Sequence, residues 1–259
     1  MNAQTLKRRI RSMKPTFGSW ITQGHPSIGE IMAHAGFDWL TIDLEHSAIT
    51  LSHAQELIRV IDLNGVVPFV RVGANDPTVI KRVLDAGARG IIVPMVNTAE
   101  QAELAVRSAY YPPRGTRGVG LARAQNYGFS FPDYARRHVK ETFVIVQIEH
   151  IEAVNNIDAI FSVKGIDAFI VGPYDLSGSL GKPGRFEDRD VIAAMNRIRQ
   201  AARRHKIPAG FHVIPPSPTE VNRRLREGYT FLAVSLDTLF LGSSCRAVMK
   251  DIHHFPTRG

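Results

Sequence analysis

Short β-rich runs alternate along this chain with stretches whose apolar residues recur at helical spacing. The strand candidates are residues 17–21, 39–43, 67–71, 90–95, 143–147, 167–172, 209–213 and 231–235. Between them, amphipathic helices are expected at 28–35, 52–63, 77–86, 99–109, 153–161, 191–205 and 219–226, with a terminal one near 243–252. Gly, Pro or Asn punctuates the joins, and Asp76-Pro77 and Ser217-Pro218-Thr219 supply a cap residue or early proline suited to free helix amides. Strict alternation argues for parallel βα units, and eight strands is the number a closed barrel requires. The expected fold is therefore α/β, a single (β/α)8 barrel spanning residues 1–259.

One stretch breaks the rhythm. Residues 110–141 are long, rich in Pro, Arg and Gly (YPPRGTRGVG), and predict at most a short helix near 133–139. Such an excursion suits an active-site cover or a plain surface loop equally well. Composition changes little: 44% apolar and 8% aromatic residues fill a substantial core. No run of eighteen apolar residues occurs, and the N-terminus MNAQTLKRRIRSMK lacks the apolar stretch of a signal peptide, so a soluble, cytoplasmic protein with no membrane contact is expected. The lone Cys245 cannot form an internal disulfide and reads as a buried structural thiol. A formal charge of +8 suits anionic partners. Much of the excess, including Arg197, Arg203, Arg223 and Arg226, falls on helical stretches as solvated faces, and no nucleic-acid motif accompanies it.

In a barrel of this kind the chemistry lies where the strands end at their carboxyl termini. Those ends are strongly polar here: Asp43-Leu44-Glu45-His46, Arg71, Gln147-Ile148-Glu149-His150, Gly172-Pro173-Tyr174-Asp175 and Ser235-Leu236-Asp237. Glu149 and Asp175 come from neighbouring strands and suit either a shared proton or a hard divalent cation. His46 has Asp43 and Glu45 nearby to tune its imidazole, and reads as a general base beside Arg71, an anion clamp or the partner of a nearby acid. His150 and His212 are strand-end residues able to line a pocket. Of the lysines, only Lys182, in GSLGKPG, is placed for a Schiff base, and that loop fails the phosphate-loop pattern.

The segments WLTIDLEHS, VPFVRV, DAGARGIIVPMV, YPPRGTRGVG, VQIEH and VGPYDLSGSLG occur in that order over most of the chain. Together they resemble the HpcH/HpaI family of metal-dependent pyruvate aldolases. The resemblance implies a divalent ion, Mg2+, Mn2+ or Co2+, held by Glu149 and Asp175 and chelated by pyruvate. It further implies that Arg71 neutralises a developing enolate and that Gln147 positions substrate. The backbone near Gly172 and Pro173 would receive the carboxylate, with His46 as base, Asp43 orienting it and Asp85 as its partner. Relatives commonly form hexamers with the last helix exchanged, which makes residues 240–259 an expected interface of a homo-oligomer.

The chain departs from the family pattern at Tyr174, usually a small residue, at His150, usually threonine, and in AVSLD of strand eight, usually AVGSD. These changes bear on the aldehyde partner more than on the pyruvate half. The expected activity is reversible cleavage of a 4-hydroxy-2-oxo acid to pyruvate and an aldehyde. Decarboxylation or acyl-thioester cleavage through the same enolate, and anion binding without catalysis, are the alternatives.

Overall fold

The computed structural model describes residues 1–214 and 216–254. All eight expected strands form: β1 (Thr16–Ile21), β2 (Trp39–Asp43), β3 (Val67–Arg71), β4 (Gly90–Val93), β5 (Phe143–Ile148), β6 (Ala168–Val171), β7 (Ala209–Val213) and β8 (Phe231–Leu236). Each pairs in parallel with its sequence neighbour, and β1 closes onto β8. The closed (β/α)8 barrel is thus the architecture that the alternating pattern predicted.

The helices are α1 (Ala3–Arg11), α2 (Pro26–Ala33), α3 (Leu51–Leu63), α4 (Pro77–Asp85), α5 (Ala99–Ala109), α6 (Phe131–Glu141), α7 (Ile151–Asn155), α8 (Ile157–Phe161), α9 (Pro173–Ser179), α10 (Arg189–His205), α11 (Pro218–Glu227) and α12 (Asp237–His254). The long excursion is more ordered than expected, because a 3-10 turn at Arg123–Gly128 leads into the eleven-residue α6. The helix expected at 153–161 is two short ones that meet at Asn156. Helices α1 and α9 were not anticipated. In α1 a narrow stripe of Ala3, Leu6 and Ile10 is buried beneath a basic face, and the Asn2 side chain caps the first turn by accepting from the Thr5 amide at 2.8 Å.

That stripe closes the amino-terminal end of the barrel. Leu6 and Ile10 join Trp39, Phe69, Phe143 and Phe231 in one buried cluster. There Trp39 stacks on Phe231 at 4.3 Å and Phe69 meets Phe143 edge-on at 5.0 Å. The indole fits because residue 18 is glycine: a Cβ there would lie 2.1 Å from the Trp39 ring. Lys7 enters the same floor, pairing with Asp167 at 3.0 Å, while Arg11 holds the other carboxylate oxygen at 3.0 Å. A packed floor leaves the opposite end of the barrel open for chemistry. The second core layer lies between the strands and α3, α4, α5, α8 and α10. Helix α12 reaches it through Phe240 near its start, while Leu241, Val248, Met249 and Ile252 are exposed. Cys245 is exposed on that helix, which corrects the expectation of a buried thiol. Residues 255–259 of the expected terminal segment lie outside the described residues.

Candidate active site

At the carboxyl ends of the strands Asp43 and Arg71 are direct partners in the β2–β3 register. Their side chains meet in a bidentate pair, Nε to Oδ1 at 2.9 Å and NH2 to Oδ2 at 2.6 Å. Such a fork fixes the guanidinium plane as well as its position. The NH1 nitrogen lies 3.2 Å from Glu45, and the guanidinium sits 4.4 Å over the Trp20 ring. Burial alone would raise the Asp43 pKa, but the hydrogen bonds and charge of Arg71 outweigh it and hold the carboxyl below 3.8. For Glu45 the balance reverses: burial, aided by the charges of Glu149 and Asp43, pushes its pKa up despite Arg71.

Asp43 does not orient the His46 ring, contrary to expectation. It accepts instead from the backbone amides of Glu45 at 3.0 Å and His46 at 3.3 Å, which tightens the turn after β2. The imidazole is 63% exposed at the rim, with Glu45 its nearest carboxylate at 3.8 Å. Asp85, expected as its partner, closes α4 and is held by Arg117 at 2.5 Å. Arg117 is itself clamped by the Tyr134 hydroxyl at 3.1 Å and lies over Tyr111. Among the described residues no hydrogen bond or ion pair joins Asp85 to His46.

Glu149 follows β5 and is buried. Its Oε1 accepts from the Met95 amide at 2.7 Å, and Oε2 accepts from the Gln147 side-chain amide. Met95 adopts a left-handed φ of 51°, so the chain turns directly after β4 and aims that amide inward. Burial pushes the Glu149 pKa up and the Asp175 charge adds to this, against the two hydrogen bonds and Arg71. Gly172 must be glycine for Glu149 to lie where it does, since a Cβ there would come within 2.7 Å of Oε2. Pro173 opens α9, and Asp175 stands in its first turn.

Gly172 and Pro173 line the cavity, and neither has a free amide of its own. The Gly172 amide is spent on the Ile148 carbonyl at 3.2 Å, and proline has no N–H. Lys182 pairs with Asp188 and Asp190, which leaves it no Schiff-base role, and His150 caps α7 rather than lining the cavity. The cavity, about 360 Å³, is bounded by Trp20, His46, Arg71, Gln147, Gly172, Pro173, Tyr174, Asp175, His212 and Ile214 among others. Trp20, Ile214 and Met95 were missed by reading the sequence; the apolar two carried no chemical signal, and Met95 acts through its backbone.

Neither Glu149 nor Asp175 forms an ion pair with Lys, Arg or His among the described residues, although Arg71 is close enough to influence Glu149. Two coupled carboxylates, one buried and neither matched by a basic side chain, form a hard oxygen donor set that fits a divalent cation. The fold and this site define a (β/α)8 barrel whose cavity, at the carboxyl ends of the strands, is bordered by a guanidinium and a carboxylate.

The family model described as HpcH/HpaI aldolase/citrate lyase matches residues 16–243. The chain is 36% identical to 5-keto-4-deoxy-D-glucarate aldolase of Escherichia coli (strain K12), covering 89% of this chain and 90% of that protein. It superposes with a TM-score of 0.89 on an HpcH/HpaI aldolase/citrate lyase family protein from Burkholderia cenocepacia J2315, 35% identical, covering 96% of this chain and 99% of that one. The HpcH/HpaI aldolase from Desulfitobacterium hafniense DCB-2 gives a TM-score of 0.89 at 32% identity, with 98% of each chain covered. The chain belongs to the HpcH/HpaI aldolase/citrate lyase family, and it is a lyase of the aldolase class.

Proposed function

We propose that the protein reversibly cleaves a 4-hydroxy-2-oxo acid to pyruvate and an aldehyde, with Glu149 and Asp175 holding Mg2+, Mn2+ or Co2+. The observation that carries this reading is the pair of carboxylates without basic counter-charges, set across the cavity rim from a guanidinium locked by Asp43. A divalent ion bound there supplies positive charge beside the keto oxygen as negative charge builds on it.

The chain's own groups do the rest. Arg71 faces the cavity with N–H groups left over after its two hydrogen bonds to Asp43, and directs them at the same oxygen. Asp43 acts through Arg71 and is a positioning residue. Gln147 steadies Glu149 and borders the substrate. His46 takes the proton of the 4-hydroxyl, directly or through water, as the bond between C3 and C4 breaks. The electron pair of that bond passes into the pyruvate enolate, the hydroxyl carbon becomes the aldehyde, and a proton returned to C3 completes pyruvate. The exposed apolar side chains of α12 support a homo-oligomer in which this helix is the contact.

The test needs no knowledge of the aldehyde. Pyruvate in heavy water should lose methyl protons by NMR when enzyme and Mn2+ or Mg2+ are present, and chelator should stop the loss. Glu149→Ala should abolish both exchange and metal binding. An enzyme that stays silent with metal added refutes the proposal.

A further inference from the structure

One wall of the cavity takes no part in the chemistry above. The His212 ring lies 5.6 Å from Trp20, the indole that also carries Arg71, so it borders the space next to the keto-oxygen subsite. Its Nε2 is 3.0 Å from the Ser235 carbonyl oxygen. A carbonyl only accepts, so Nε2 donates, and the proton of the neutral ring is fixed on that nitrogen. Nδ1 keeps its lone pair and has no partner among the described residues.

The carbonyl that sets this tautomer is itself held in place by an irregular strand. Between the pairs Gly18 with Ala233 and Trp20 with Leu236, β8 carries one residue more than β1. Ser235 takes a left-handed φ of 52° there, and the Ser19 hydroxyl lies within reach of both the Val234 and Ser235 carbonyls, at 2.8 and 3.1 Å. Burial pushes the His212 pKa down to about 4, with the Arg71 charge adding to it against the Ser235 carbonyl and Asp43, so the ring is neutral at physiological pH. An acceptor held this firmly beside apolar Trp20 and Ile214 selects for a donor: an alkyl group would leave Nδ1 dry and unpaired, and a carboxylate would meet lone pair with lone pair.

We propose that His212 is a specificity-determining residue that accepts, at Nδ1, a hydrogen bond from a hydroxyl of the aldehyde fragment, so that hydroxyaldehydes are preferred to alkyl aldehydes of equal size. This rests on the aldolase reading given under Proposed function. The test is aldol addition of pyruvate to glycolaldehyde and to propanal, which differ by a hydroxyl in place of a methyl group, with kcat/KM taken as a ratio so that losses common to both cancel. Wild type should favour glycolaldehyde by roughly tenfold or more, His212→Leu should reduce that ratio about tenfold, and His212→Gln, which restores an acceptor, should recover part of it. A ratio that is the same in wild type and His212→Leu overturns the proposal. Nitrogen-15 NMR gives a readout without turnover: the His212 signal, identified by its loss in the Gln variant, should show the Nε2–H tautomer at neutral pH. The Nδ1–H form overturns the proposal even if the Leu variant does not fold. Wild type that exchanges pyruvate protons yet shows no hydroxyl preference defeats this inference alone, whereas wild type without exchange defeats the aldolase reading and this inference with it.

Discussion

Replacing Gly172 with alanine would place a methyl carbon 2.7 Å from Oε2 of Glu149, 2.9 Å from its Cβ and 3.4 Å from Nε2 of Gln147. Carbon atoms in good contact sit about 3.5–4.0 Å apart, so the two Cβ atoms must separate by roughly half an ångström or more. The carboxylate can swing away, but Cβ of Glu149 is fixed by its backbone. Relief therefore requires the ends of β5 and β6 to part, next to the paired residues Ile148 and Val171. Overpacking of this kind costs about 1–3 kcal/mol. The same displacement shifts Glu149 relative to Asp175, and because a site tolerates only about 0.5 Å of error, divalent-metal affinity should fall at least about tenfold. Urea unfolding of the metal-free protein measures the first effect, and calorimetric titration with Mn2+ measures the second. A variant whose stability stays within about 0.5 kcal/mol and whose affinity stays within about twofold of wild type would refute the reasoning, since neither strain nor displacement would then exist.

Three further outcomes are expected. Arg71→Lys keeps the charge but loses the fork to Asp43, and should lower kcat/KM at least about a hundredfold while circular dichroism stays native; an active lysine variant would remove Arg71 from charge stabilisation. Asp43→Asn leaves a largely buried guanidinium without its main partner and should cost about 3–5 kcal/mol at neutral pH. Because the Asp43 pKa is depressed in the fold, its contribution is complete above 3.8 and is lost as pH falls through the folded value, so the acid-unfolding slope below 3.8 should be shallower in the Asn variant. Leu6→Ala should destabilise by about 2–5 kcal/mol in chemical unfolding, since Leu6 is fully buried in the barrel floor; a cost under about 0.5 kcal/mol would show that α1 does not seal it.

The strands were legible because each is a short apolar run, and four of them, β2, β3, β5 and β6, end at or beside polar groups that border the cavity. Side-chain partnership was harder to read. Asp43 was assigned to His46 by nearness in sequence, whereas the β2–β3 register sets it opposite Arg71. That register follows from the barrel itself and was within reach of the pattern. Helix α1 went unnoticed because five Lys and Arg residues dominate its vicinity, although Leu6 and Ile10 stand four apart on one face. Helix α9 was hidden by Pro173, Gly178 and three residues of weak helical preference, and it forms because Pro173 sits at the first turn, where its ring is tolerated. Nothing in the sequence marks the left-handed turns at Met95 and Ser235, which decide where an amide and a carbonyl point. Exposure of Cys245 follows from how α12 stands relative to the barrel, a tertiary property that composition does not carry.

The seam between β1 and β8 imposes a timetable on synthesis. The Thr16 amide bonds to the Thr230 carbonyl at 2.8 Å, and Trp39 rests on Phe231, so the earliest strands find their last neighbours only after everything from β3 through β7 has been translated. At about 5–20 residues per second, the first strand waits roughly 10–40 s for its counterpart to emerge from the ribosome. Throughout that interval a hydrophobic strand edge and a bare indole face solvent, which leaves the nascent half-barrel prone to misassociation until the seam zips shut.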